Sequence, residues 1–147
     1  MEVDDMYNKP MLSLEQAQNA MRHVRLQLTA RRKSTTDHPP RAHMAVVDDA
    51  GNLLAYARMD RCLRPTFAIR KAYTSAVRSM DTAAFAEQLS SSGRSLESFG
   101  DPQVIAIPGG VAVISDGAVV GAIGVGGLPS GLDDEAIARA GVAALGI

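Results

Sequence analysis

The sequence predicts an α+β fold: a single antiparallel sheet of about five strands flanked by helices. Three observations carry this. Apolar residues recur at helical spacing in four stretches and fill five short strand-like runs. Turn chemistry joins most of those runs as hairpins. The resulting order (helix, two strands, two helices, three strands, helix) lacks the strand-helix alternation of a parallel doubly wound sheet.

Residues 1–12 show no periodicity and read as a loose tail; residues 13–147 read as one domain. Ser13 with Gln16 makes a capping box, and Leu14, Ala17, Met21, Val24 and Leu28 form one stripe, giving a helix over about 14–32. Ser34 to Arg41, with Pro39-Pro40, is a connector. His43–Asp48 and Leu53–Met59 are strands joined by the turn residues Asp49-Ala50-Gly51-Asn52. After Pro65, the residues Phe67, Ile69, Ala72, Tyr73, Ala76, Val77 and Met80 give a helix with a broad apolar face. A shorter helix starts near Thr82, and residues 90–102 read as a mobile loop. Val104–Ile107, Val111–Ile114 and Ala118–Val125 are three further strands, the last two joined by Asp116-Gly117, which suits the two positive φ angles of a type I′ turn. A helix with acids in its first turn closes the chain, from Asp133-Asp134-Glu135 onward. A small sheet with helices on its faces is typical of profilin-like or PAS-like domains.

Composition excludes several functions. The 147 residues are 46% apolar, with 15 Lys and Arg against 16 Asp and Glu, so no global basic field attracts nucleic acid or an anionic membrane. A chain of this length buries about 68–70% of its unfolded surface and needs no disulfide or metal staple. The single Cys62 favours a reducing compartment, and the start of the chain lacks the basic-then-apolar pattern of a secretory signal, so a cytoplasmic location is expected.

The glycine-rich run Gly121 to Gly127 fails as a dinucleotide loop, because Pro129 stands where the third glycine of G-x-G-x-x-G would fall. Its glycines mark a bulge or a close approach of backbone, helix or ligand, and one face beside Gly121 or Gly124 is expected to be open to a flat ligand. His23, His38 and His43 lack zinc-motif spacing, so no dedicated metal site is expected; His43, opening a strand, either packs or ligates a metal or haem iron. No G-x-S-x-G elbow occurs. The remaining polar group is Arg58, Asp60, Arg70 and Lys71. Arg58 and Asp60 share strand parity, whereas Arg70 and Lys71 are adjacent on a helix and point different ways. Lys71 lies near the apolar side, either as a base or carboxylate clamp or as a lysine at the core edge.

Taken together, Val46-Val47-Asp48-Asp49-Ala50-Gly51-Asn52-Leu53-Leu54, Arg58-Met59-Asp60, Ile69-Arg70-Lys71-Ala72-Tyr73-Thr74, Pro108-Gly109-Gly110-Val111 and Gly121-Ala122-Ile123-Gly124-Val125 resemble, in order, the GlcG-like, haem-binding HbpS-like family. The resemblance runs from about residue 12 to 146. It implies a profilin-like fold, a relationship to the domain appended to some corrinoid adenosyltransferases, and homo-oligomers. Some members bind or degrade haem, and others sit beside catabolic enzymes. It also implies that Thr82, opening the short helix, lies at haem iron, and it directs attention to Arg70, Gly109, Gly110 and Gly124 as cofactor-binding positions. Three positions depart from the family pattern: Asp81 and Ala112 stand where the family tends to have proline, and Gly126 where it tends to have serine.

Two functions follow as expectations. The first is an oligomeric small-ligand-binding protein holding haem or a related tetrapyrrole, with Thr82 or His43 near iron and Arg58 or Lys71 on the propionates. The second is a cofactor-independent isomerase, hydratase or decarboxylase for a small carboxylated or carbonyl metabolite. There Arg58 or Arg70 would clamp the carboxylate, and Lys71 or Asp60 would supply acid or base.

Overall fold

The computed structural model describes residues 8–31, 38–64 and 66–147. Helix α1 spans Leu14–Ala30, strands β1 and β2 span His43–Asp48 and Leu53–Arg58, and helices α2 and α3 span Phe67–Arg78 and Thr82–Ser92. Strands β3 (Gly110–Ser115) and β4 (Ala118–Gly126) and helix α4 (Gly131–Ala143) complete the chain. The four strands form one antiparallel sheet in the order β2-β1-β4-β3.

Local chemistry sets the boundaries as expected in several places. Ser13 Oγ accepts from the Gln16 amide while Gln16 Oε1 accepts from the Ser13 amide, closing the capping box of α1. Asp116 and Gly117 both have positive φ, 50° and 77°, as the tight β3-β4 turn demands. In the β1-β2 turn, Asp48 Oδ1 accepts from the amides of Ala50 and Asn52.

The two faces of the sheet carry different side chains. Met44, Val46, Val111, Val113, Ile123 and Val125 pack with α1 and α4. On the other face, Ala45, Val47 and Ala122 meet Ala68, Ala72 and Ala76 of α2. Ala45, Gly124 and Gly110 are register neighbours across β1, β4 and β3, making a track of small residues under α2. A Cβ on Gly124 would lie 2.1 Å from the Ala68 carbonyl oxygen, and one on Gly110 would lie 2.3 Å from that of Lys71, so the helix sits almost on the strand backbones. Neither side of the glycine run is left open: α2 fills the space at Gly124 and the Leu12 side chain fills that at Gly121.

Three further expectations change. The sheet has four strands, because 104–107 is not one. Two of its backbone groups are taken by α2 side chains: the Ile105 amide donates to Thr74 Oγ1, and the Val104 carbonyl accepts from Arg70, which also donates to the carbonyls of Pro102 and Gln103 just before the run. Residues 90–102 hold the end of α3 and a 3-10 turn at Leu96–Phe99, fixed by Phe99 stacked edge-on to Phe85 at 5.3 Å. The tail ends in structure, since Leu12 is buried and its amide donates to the Val120 carbonyl. Residues 1–7, and 34–37 of the expected connector, lie outside the described residues.

Candidate functional site

At one end of the sheet β1 begins, β2 and β4 end, and the N-termini of α2 and α4 arrive together. A cleft of about 390 Å³ opens there, lined by residues of five segments. Arg41 precedes β1, and Arg61 and Arg64 lie on the connection after β2; all three are exposed. Leu63, Phe67, Ile107 and Leu128 supply apolar wall, and Arg64 lies 5.9 Å from the Phe67 ring centroid. Arg61 has φ +67°, a left-handed conformation uncommon for a residue with a side chain and often found at ligand clamps. The positive ends of two helix dipoles add to the arginine charges, so the cleft favours an anion.

Its floor is a buried ion pair. Lys71 Nζ lies 3.0 Å from Asp134 Oδ2 and 3.0 Å from the Val125 carbonyl oxygen, while Asp134 Oδ1 accepts from the Leu128 amide. Burial raises the Asp134 carboxyl above its ordinary value, against the opposing pull of Lys71 and the Leu128 amide. His43 is 1% exposed and borders the same cleft, with Nδ1 3.3 Å from the Tyr56 hydroxyl. Burial, more than the nearby Cys62, raises the Tyr56 phenol.

The structure brings together only part of the set read from the sequence. His43 and Lys71 meet in the cleft. Gly109 makes room for Lys71, since a Cβ there would lie 2.8 Å from Nζ. Gly110 and Gly124 lie under α2. Arg58 and Asp60 are exposed on a separate depression of about 570 Å³ with Arg25 and His38; Arg61 borders both. Arg70 is committed to the 102–104 carbonyls. Thr82 is fully buried, its Oγ1 accepting from the Gly110 amide. Among the described residues no three His, Cys, Asp or Glu side chains gather as a metal site.

Sequence reasoning missed Arg41, Arg61, Arg64 and Asp134 as site residues. A signal existed for two of them: arginine recurs every third residue at 58, 61 and 64. Nothing local marked Asp134, whose partner Lys71 is 63 residues away.

Over residues 12–143 the sequence matches the family described as haem degrading protein HbpS-like. The chain belongs to that family. GlcG of Escherichia coli strain K12 is 38% identical over 84 residues, 56% of this chain and 61% of that protein, so the match spans less than two thirds of this curated relative. A double mutant of HbpS from Streptomyces reticuli is 31% identical, with a TM-score of 0.85 over all of this chain and 95% of that one. A PduOC–haem complex shares the fold at a TM-score of 0.72 and 24% identity, covering 91% and 94% of the two chains. Among the described residues no helix is long and apolar enough to cross a membrane.

Proposed function

We propose that this HbpS-like chain is a small-ligand-binding protein whose cleft takes a carboxylated ligand with an apolar body, haem or a related tetrapyrrole being the first to test. The observation that carries the reading is the mouth of the cleft: Arg41, Arg61 and Arg64 stand beside an apolar wall and a buried imidazole. Guanidinium groups pair with carboxylates in a fork geometry that lysine cannot copy. The family description and the haem held by PduOC support haem within this class.

The residues fit that ligand unevenly. Carboxylates suit the three arginines, and His43 is the cleft's imidazole for an iron. Thr82, the iron neighbour implied by the family resemblance, is enclosed at 0% exposure and acts here through its bond to Gly110. Bound haem would supply redox and O₂ chemistry; the chain's own part is to hold the carboxylates, present the imidazole and exclude water. Leu63, 82% exposed at the cleft, and Leu132, 68% exposed between Gly131 and Asp134, support a homo-oligomer in which a second copy covers them.

Haemin titrated into the protein is expected to give a saturable Soret shift, weakened about tenfold or more in Arg61→Gln/Arg64→Gln. An unchanged spectrum at stoichiometric haemin removes haem from the reading. Light scattering of the same samples tests the oligomer. A second reading, a cofactor-independent enzyme for a small carboxylated metabolite, is favoured by one observation: the buried Lys71-Asp134 pair offers acid and base at the cleft floor.

A further inference from the structure

A lysine ammonium has three N–H donors and accepts nothing. Two donors of Lys71 are used, toward the Val125 carbonyl and Asp134 Oδ2. The side chain is 3% exposed, so the third donor is shielded from bulk water, and the open space that the residue borders is the cleft. An unmet donor on a buried charge is costly. The Lys71 ammonium bonds Asp134 through Oδ2, while Oδ1 is engaged by the Leu128 amide. Among the described residues lining the cleft, four cations, Arg41, Arg61, Arg64 and Lys71, face the single carboxylate of Asp134, so further anionic oxygen is electrostatically welcome.

We infer that the third Nζ–H of Lys71 is donated to an oxygen of the bound ligand, so that the cleft selects carboxylic acids carrying a second oxygen acceptor, a carbonyl or a second carboxylate, at the far end. The inference rests on the reading of the arginine mouth as a carboxylate site. One oxygen group meets the guanidinium groups and the other reaches the floor. The apolar wall between them, Phe67 and Leu128, contacts the carbon chain. Lys71 is thereby a specificity residue, and Asp134, which touches Lys71, is a positioning residue.

The test uses three acids of equal chain length, pentanoate, glutarate and 4-oxopentanoate, titrated calorimetrically into the full chain at fixed pH and salt. Glutarate, 4-oxopentanoate or both are expected to bind about tenfold more tightly than pentanoate, the size of one charge-assisted hydrogen bond. A gain for 4-oxopentanoate alone identifies a carbonyl acceptor, and a gain for glutarate alone a carboxylate. In Lys71→Met/Asp134→Asn, which removes both charges of the pair together, the advantage disappears. Because that variant could fold poorly, wild-type protein carries a second readout. The chain has three lysines, Lys9, Lys33 and Lys71, so ¹⁵N-lysine labelling resolves the Lys71 ammonium; its signal should move on saturation with the tighter acid and stay still with pentanoate. Equal affinities for all three acids, or a stationary Lys71 signal, overturn the inference. If Arg61→Gln/Arg64→Gln weakens all three acids while the Lys71 signal never moves, the inference alone fails. If that arginine variant changes none of the affinities, or no acid binds, the carboxylate reading of the mouth fails with it.

Discussion

Arg70 and Lys71 are consecutive in α2, and both are cations held by hydrogen bonds, yet they serve different sides of the helix. Arg70 reaches toward the 101–105 segment and donates to three carbonyls there; its neighbours Thr74 and Tyr73 hold Ile105 and Asp101 of the same segment. Lys71 turns to the cleft, is fully buried, and has one donor more than the protein uses. The difference teaches where function can reside on this scaffold. Arg70 is half-exposed, so the guanidinium donors that its three carbonyls leave over meet water; the donor left over on Lys71 is buried at a cavity and is poised for a ligand.

The largest expected effect comes from breaking the buried pair. Lys71→Met leaves Asp134 enclosed without its cation and should cost about 3–5 kcal/mol of stability by urea unfolding near neutral pH. Lys71→Met/Asp134→Asn should recover most of it, because the Asn side-chain oxygen can still accept from the Leu128 amide. The sign with pH follows from the Asp134 carboxyl, whose folded value is already raised by burial and would rise further without Lys71. Protonation then favours the folded state, so the penalty of the single variant shrinks as pH falls through the folded value toward the ordinary carboxylate value. A single variant no less stable than the double would contradict the pairing.

A smaller effect is expected on the other side. Arg70→Ala should cost about 1.5 kcal/mol, since its bonds are charge-assisted but the side chain is half-exposed. Hydrogen exchange should accelerate at residues 103–105 while affinity for the cleft ligand stays unchanged. Loss of cleft binding in Arg70→Ala would erase the contrast between the two neighbours.

The contrast also explains what the sequence could reveal. The capping box at Ser13 and the turn at Asp116-Gly117 are local, so a few residues decide them. The apolar run 104–107 satisfies every strand preference, but its ladder is replaced by Thr74 and Arg70 from a helix distant in the chain, which no local pattern reports. Arg58 and Asp60 looked paired on strand parity; β2 ends at Arg58, and the chain then turns through the left-handed Arg61, which borders both depressions, and carries Arg64 into the cleft. Lys71 was legible as a lysine on an apolar face, while its partner Asp134 looked like an ordinary helix-start acid. Two of the departures from the family pattern meet in space: the Ala112 amide donates to Asp81 Oδ1 at 3.0 Å, while Asp81 Oδ2 pairs with Arg139 of α4 at 2.7 Å. Two prolines at these positions would offer neither the donor nor the carboxylate. The third, Gly126, leaves room for His43, whose Nε2 lies 2.7 Å from where a Cβ would stand.

The smallest effect separates the structural side by its pH response. The Tyr73 hydroxyl donates to Asp101 Oδ2 at 2.6 Å. That bond is the chief cause of two opposite shifts, lowering the Asp101 carboxyl and raising the Tyr73 phenol. Asp101, depressed in the folded chain, contributes stability that is present above the ordinary carboxylate value of about 4 and lost as pH falls through its folded value. Tyr73, raised, contributes stability that is fully present below the ordinary phenol value of about 10 and lost as pH rises through its folded one. The stability difference between wild type and Tyr73→Phe, from thermal midpoints across the pH range, should therefore form a plateau that shrinks at both extremes. Cleft affinity should be indifferent to this substitution, because the bond lies with Arg70 on the segment-holding side of α2. A difference that is constant from acid to alkali would mean that the hydroxyl and the carboxylate do not act as a pair.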